Sequence, residues 1–375
     1  MALPRMHTTK KRGMLSLIAI LVGITAPLLM MEIVLRFLPV SSSTGTVTVD
    51  RQNPVIHLTP NQAFTYSKGW QFAIVNTGRI NNYGYVNDQD YTSWTEKGPL
   101  VIIGDSYVEA LMVPYEQTMQ GRLARLLDKK EKVYSLGISG AQLPQYLAFA
   151  QYAWTEFHPR AMVFVIIGND FDESLLKYKE GPGLHFFEEN GPDHELALVR
   201  RDYQPSLGKR LLRHSALVRY LWGTVGIGEI SRLVDQRLFR GVQYIGNTAA
   251  DASEERLADS RRAVDRFFSE LPRRIGLDQS HVLFVMDAIR PELYSEPGLK
   301  RATGSYFDLM RQYFLQEAQG HGYEVIDMQP RFITRHHQDG SRFEFANDGH
   351  WNSLGHQEAA EAIVSSHMFR AMTSQ

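Results

Sequence analysis

Four short stretches hold residue types that together can do acyl-transfer chemistry. "VIIGDSYVEA" (101–110) runs an apolar segment into Gly-Asp-Ser, which places Ser106 on a tight turn. A serine hydroxyl is a weak nucleophile and needs a base to take its proton. "NDGHWNSLGH" (347–356) offers His350, whose ordinary pKa lies near neutrality, with Asp348 two residues before it. On an extended stretch, residues two apart project the same way, so Asp348 can hold the imidazole in one tautomer. "SLGISG" (135–140) and "IGNDFDES" (167–174) offer Gly140 and Asn169. Gly140 has no Cβ and lets its N–H approach an oxyanion. The Asn169 amide is a second donor and the Ser106 N–H a third. Asp105, Gly137 and Asp170 flank these positions as supports for the turns. The chemistry is nucleophilic attack by Ser106 on an ester carbonyl through an acyl-enzyme; no cofactor or metal is required.

Plainer roles compete for each residue. Ser106 can be a helix N-cap. Asp170 and Asp172 can cap a loop or helix, with Asp172 an alternative orienting acid and Asp287 a back-up acid. His356 reads as structural. His336 and His337, near Asp339, read as a polar loop, because adjacent histidines point apart and no third ligand has a defined spacing. Trp351, Phe186, Phe187 and Trp222 can stack on sugar rings or pack a core or lid.

These stretches sit where a particular architecture would place them. Apolar runs at 99–105, 132–138, 161–168, 281–287 and 323–328 alternate with helical patterns at 115–130, 142–157, 253–275 and 305–320. Short Val- and Ile-rich runs without polar alternation suit strands covered on both faces, and strand–helix alternation gives a parallel sheet. The fold class expected is therefore α/β, a three-layer α/β/α sandwich with about five parallel strands. Ligand sites in such sheets form at the strand C-termini, which is where the four stretches fall. The stretch between the third and fourth runs is too long for a simple crossover. Residues 177–250 read as a helical insertion, either a substrate-shaping lid or a peripheral decoration. Residues 41–98 read as a linker and an N-terminal β extension, and 99–375 as the main domain.

In order along the chain, "GDSY", "GISG", "GND" and "DGHWN" resemble the four blocks of the SGNH hydrolases, the GDSL-like esterase superfamily. The resemblance spans about residues 99–368 without the insertion. It implies a flavodoxin-like fold, Ser106 as nucleophile, Gly140 and Asn169 completing the oxyanion hole, and His350 as base. Two departures stand out: Tyr107 replaces the Leu of GDSL, and the last block is Asp-x-His instead of Asp-x-x-His. The "DxHWN" form is similar to sugar O-acetyltransferase relatives, which implies an acylated carbohydrate as substrate. The function expected is a serine esterase that removes O-acyl groups, acetyl above all, from a carbohydrate polymer; an O-acetyltransferase fed by a membrane acyl-donor protein is the alternative, and a non-catalytic carbohydrate-binding or assembly protein a further one.

The rest of the chain sets the location. Arg5, Lys10, Lys11 and Arg12 precede residues 14–31, which carry no charge. That is close to the ~20 residues needed to cross a bilayer core. No small-x-small cleavage site stands out, and positive charge before the segment orients the N-terminus to the cytoplasm. Residues 1–40 read as an uncleaved signal-anchor that leaves the bulk of the chain in the periplasm or outside the cell. A formal net charge of −1 provides no field for nucleic acid, and the absence of cysteine removes disulfides and a thiol nucleophile.

Overall fold

The computed structural model describes residues 6–127, 132–191, 194–226 and 252–374. Its chain forms two units, built from described residues within 1–43, 65–75 and 206–230 in one case, and within 44–64, 76–205 and 231–375 in the other. Arg5, residues 128–130 of the helical pattern at 115–130, and residues 192–193 and 227–250 of the expected insertion lie outside the described residues.

In chain order the strands are β1 (Gln62–Lys68), β2 (Ile74–Ile80), β3 (Leu100–Gly104), β4 (Val133–Gly137), β5 (Ala161–Ile166), β6 (His185–Asn190), β7 (Glu195–Arg200), β8 (Val282–Met286), β9 (Glu324–Asp327), β10 (Glu344–Phe345) and β11 (Asp348–Trp351). β1 and β2 pair with each other in a two-stranded sheet. The larger unit is organised by a parallel five-stranded sheet in the order β4-β3-β5-β8-β9. Counted along the chain, that is 2-1-3-4-5, the flavodoxin-like doubly wound order.

β3, β4, β5 and β8 are buried at every residue, so both faces must be apolar. Alternate side chains serve opposite layers. Leu100, Ile102, Val163, Val165, Leu283 and Val285 pack with Met119, Leu123, Phe332, Trp351 and Ile363 in one core. On the other face, Phe164 and Phe284 meet Phe267, Phe268 and Phe314 edge-on. The second set comes from helices Glu254–Arg274 and Tyr306–Gly320; the first comes largely from Met119–Leu126, Met328–Asp339 and Ser353–Val364. The crossover from β3 to β4 thus runs on one face, while Leu143–Phe157, packed against Glu254–Arg274, leads from β4 to β5 on the other. The change of side puts a crevice at the C-terminal ends of β3 and β5.

Two segments differ from their sequence reading. The region of His336 and His337 is not a loop: Met328–Asp339 is a helix, with Asp327 accepting the Gln329 N–H as N-cap and Gly340 (φ 73°) ending it in the left-handed region. The insertion begins as a hairpin, β6 with β7, before the short helices Leu207–Leu212 and Ala216–Arg219. This hairpin is firmly packed. Phe186 and Phe187 are buried, Gln142 Nε2 donates to the His185 carbonyl at 2.7 Å, and the His185 N–H donates to Gln145 Oε1 at 3.0 Å.

The smaller unit collects the N-terminal helix Met6–Leu35 with chain-distant segments. The part Met14–Leu35 has a mean hydropathy of 2.4 and is exposed over most of its length, with Leu35 buried at its end, which makes it a candidate membrane anchor or signal sequence.

Gly137 closes β4 against the turn after Ser106. A Cβ there would lie 2.5 Å from the Glu109 amide nitrogen and 2.8 Å from the Val108 carbonyl carbon. Backbone cannot retreat cheaply, so Gly137→Ala is expected to destabilise the chain by about 1–3 kcal/mol. Chemical denaturation of the detergent-solubilised chain measures this; an unchanged midpoint would show that the contact relaxes freely.

Candidate active site

Ser106 begins a single helical turn, Ser106–Glu109, directly after β3. Asp105 is its N-cap: Oδ1 accepts the Tyr107 N–H at 2.9 Å. Ala110, left-handed at φ 47°, ends the turn. So short a turn leaves the Ser106 side chain half-buried at its entrance. The hydroxyl has one proton and two nearby acceptors, His350 Nε2 at 2.8 Å and Asp105 Oδ2 at 3.1 Å.

His350 lies on β11, which pairs antiparallel with β10. Asp348, two residues earlier on the same extended strand, is buried. Its Oδ1 accepts from the His350 backbone N–H at 2.9 Å and closely approaches Nδ1. A carboxylate at Nδ1 requires the proton there, which leaves the Nε2 lone pair facing the Ser106 hydroxyl.

The strand that carries His350 is held from both sides of the histidine. Arg290, buried, donates to the Gly349 carbonyl at 3.0 Å and to the Tyr107 hydroxyl at 2.9 Å. Tyr107 donates its own proton to the same carbonyl at 2.9 Å. Asp287 pairs with Arg290 at 2.6 Å and accepts the Trp351 indole N–H at 2.8 Å. Asp287 is therefore a brace for the strand, its carboxylate already occupied, and Trp351 is a fully buried core side chain, closed to a sugar ring. Tyr107, where GDSL has Leu, ties the serine turn to the histidine strand.

Gly140 and Asn169 share one ion pair. Lys179, from the stretch before β6, donates to the Gly140 carbonyl at 3.2 Å and pairs closely with Glu173. The same Glu173 Oε2 accepts from Asn169 Nδ2 at 3.2 Å. That fixes which end of the amide is nitrogen and leaves the second N–H of Asn169 for another acceptor. Gly140 has φ 83°, a conformation that L side chains rarely adopt. Asp170 is fully buried beneath: it accepts from the Ile167 N–H and the Tyr146 hydroxyl, each at 2.8 Å, and so shapes the turn that presents Asn169. Asp172 is engaged by Arg256 at 3.1 Å, away from His350. His356 accepts the Met119 N–H at 3.2 Å, and burial lowers its pKa to about 3, so it stays neutral.

Neither Lys179 nor Glu109 was legible as a site residue. Glu109, on the serine turn, is buried and its Oε2 accepts the Ser139 N–H at 2.9 Å and closely engages the Ser139 hydroxyl. It ties the loop before Gly140 to the turn that carries Ser106. The one signal was a lone acid closing an apolar stretch. Burial raises the Asp105 pKa to about 6, that of Glu109 to about 7, and pushes Asp170 well up. No cluster of His, Asp and Glu with metal-binding geometry occurs among the described residues.

No family model matches the chain, and no curated protein does. Solved structures similar to it include an alpha/beta hydrolase enzyme from the metagenome of Lake Arreo, Spain (15% identity, TM-score 0.37, covering 74% of this chain and 97% of that one). A two-domain esterase active on acetylated mannans is similar at 10% identity and TM-score 0.37, covering 74% of this chain and 50% of that one. The acetyl xylan esterase AlAXEase matches at 13% identity and TM-score 0.36, covering 71% and 98%. Likenesses this faint carry no argument about activity; the geometry of the site does.

Glu109 gives the site a pH signature. Its pKa rises from an ordinary 4.5 to about 7 on folding. A carboxyl shifted upward favours the folded state most below its unfolded pKa, and that contribution is lost as pH rises through the folded value. Glu109→Gln, neutral throughout, should therefore gain stability relative to the parent as pH rises from about 4.5 to about 7, by at most about 3 kcal/mol. Melting curves of both proteins across that window test this; a difference that stays flat with pH would show that Glu109 is ionised throughout.

Proposed function

We propose that the chain is a membrane-anchored serine esterase of the SGNH type, removing O-acyl groups, acetyl above all, from a carbohydrate polymer outside the cytoplasm. The observation that carries the reading is the 2.8 Å contact between Ser106 Oγ and His350 Nε2, with Asp348 on the far ring nitrogen. His350 takes the Ser106 proton as Oγ attacks the ester carbonyl. Asp348 stabilises the imidazolium that results. The oxyanion is received by the Ser106 and Gly140 N–H groups and the free N–H of Asn169. His350 returns its proton to the departing sugar hydroxyl, then activates a water that releases the acid and restores Ser106.

The carbohydrate substrate is supported by the likeness of the "DGHWN" block to sugar O-acetyltransferases, and acetyl transfer to a sugar hydroxyl is the second reading on the same ground. Retention of the anchor is supported by Glu32, near the end of the apolar helix. Its carboxylate accepts from the Ser215 hydroxyl at 2.8 Å and from the Ala216 and Leu217 N–H groups at 2.9 and 2.8 Å. Cleavage after Glu32 would strip those donors of their acceptor. The basic residues ahead of the apolar segment support an extracytoplasmic main unit.

Hydrolysis of p-nitrophenyl acetate by the solubilised chain tests the serine mechanism. Ser106→Ala should lower kcat by a factor on the order of 10⁴–10⁶, and Asn169→Ala by about 10²–10³. Parent-level activity in Ser106→Ala removes the acyl-enzyme. Acetylated oligosaccharides, followed by mass spectrometry, separate net loss of acetyl from its movement between sugars.

Lys179 and Glu173 act as positioning residues in this scheme, since one ion pair orients both oxyanion donors. Lys179→Met should lower kcat about ten- to hundredfold with KM little changed, and Lys179→Arg should recover part of it. A change in KM alone would assign Lys179 to substrate binding instead.

A further inference from the structure

The apolar helix ends inside a small folded unit. Leu35, Val40 and Ala216 form its buried core, with Phe72, Leu217 and Tyr220 packed around them. Hydrogen bonds stitch its three chain segments together: Ser41 Oγ donates to the Ser67 carbonyl at 2.8 Å, the Ser67 and Thr224 hydroxyls meet at 2.8 Å, and Tyr220 donates to the Trp70 carbonyl at 2.7 Å. Arg219 donates to the Ser41 carbonyl at 3.0 Å.

This unit reaches back along the helix. His214 and Leu217 line a shallow groove with Thr25, Leu28 and Leu29. Leu28 is two turns before Leu35, the last residue of the apolar span, or about 10 Å at ~1.5 Å per residue. The groove extends to Glu32 and Arg36, and residues 215–217 donate to Glu32, so with the span in a bilayer residues 214–217 lie level with the charged end of the span, where the helix leaves the hydrocarbon. Leu207–Leu212 leads directly into them. Leu207 and Leu211, one turn apart, are 76% and 74% exposed, and Leu212 is 55% exposed. Lys209 and Arg210 are exposed beside them. The same unit also exposes Phe37, Trp70 and Trp222. So many large apolar side chains are costly to leave in water, because each keeps apolar surface wet. A short basic helix with leucines, and aromatics beside the end of a span, are suited to the boundary between headgroups and acyl chains.

We propose that residues 206–224 form an interfacial foot, in which Leu207, Leu211 and Leu212 insert into the headgroup–acyl boundary of the leaflet the helix leaves, while Lys209 and Arg210 meet its anionic phosphates. The occupant of this face is lipid: the face is continuous with the span, carries charge complementary to anionic headgroups, and sits at the depth the groove sets. The inference rests on the reading of the helix as a retained span.

The chain has no cysteine, so single spin labels can be placed without background. Leu211→Cys and Val22→Cys, in the full chain reconstituted into phosphatidylethanolamine–phosphatidylglycerol vesicles, are compared for relaxation by oxygen, which partitions into lipid, and by a water-soluble nickel chelate. Both labels should respond more to oxygen than to nickel, opposite to free label in buffer. Lipid-like response at residue 22 with water-like response at 211 overturns the foot and keeps the span. Shielding of residue 211 from both reagents assigns the face to a protein partner and overturns the foot as well. Water-like response at residue 22 removes the span and the foot together.

Discussion

The 2.8 Å contact between Ser106 and His350 joins residues 244 positions apart, and much of the larger unit serves to hold it. Neither end is stiff alone. One is a single helical turn and the other a four-residue strand in a two-strand ribbon. Stiffness is supplied by neighbours that never touch the hydroxyl. Arg290 and Tyr107 converge on the Gly349 carbonyl, and Asp287 grips the Trp351 indole. Residues on both sides of the histidine are thereby fixed, which confines the ring to the line between serine and Asp348. A buried Arg–Asp pair is a poor source of stability, because desolvating two charges offsets most of their attraction. Here its worth is geometric.

The floor of the site is unusually rich in acids. Asp105, Glu109 and Asp170 are all buried, and burial disfavours the charged form of each. Each grips a different stretch of backbone. Asp105 caps the serine turn, Glu109 holds the Ser139 loop, and Asp170 shapes the turn before Asn169. A carboxyl offers two oxygens to accept these hydrogen bonds, and in its neutral form one of them also carries a proton that must find an acceptor. The arrangement exchanges stability near neutral pH for fixed loops around the serine.

Legibility in the sequence followed locality. Four of the five sheet strands are short apolar runs buried at every residue, and the edge strand β9 is half-buried, so composition alone revealed them. Ser106, Gly140, Asn169 and the Asp348–His350 pair each sit within a few residues of a strand end or a turn, so their placement could be read without knowing any partner. Arg290, Lys179, Glu173 and Glu109 could not be singled out, because each matters only through a residue remote in sequence. The helix Met328–Asp339 was hidden by its polar surface, although Asp327, Pro330 and Gly340 mark its start and end. The hairpin of β6 and β7 escaped because "HFFEEN" and "ELALVR" lack clean alternation: the first half of β6 is buried and the second exposed.

Glu32 carries a consequence for how such a chain is made. A ribosome finishes the apolar helix long before it reaches Ser215, so the carboxylate spends the intervening time without its eventual donors. Arg36, one turn further on and 3.0 Å away, is the counter-ion present during that interval. Synthesis of roughly half the protein therefore separates formation of the apolar helix from the arrival of the donors that Glu32 accepts from, and the smaller unit closes late, around a helix already formed.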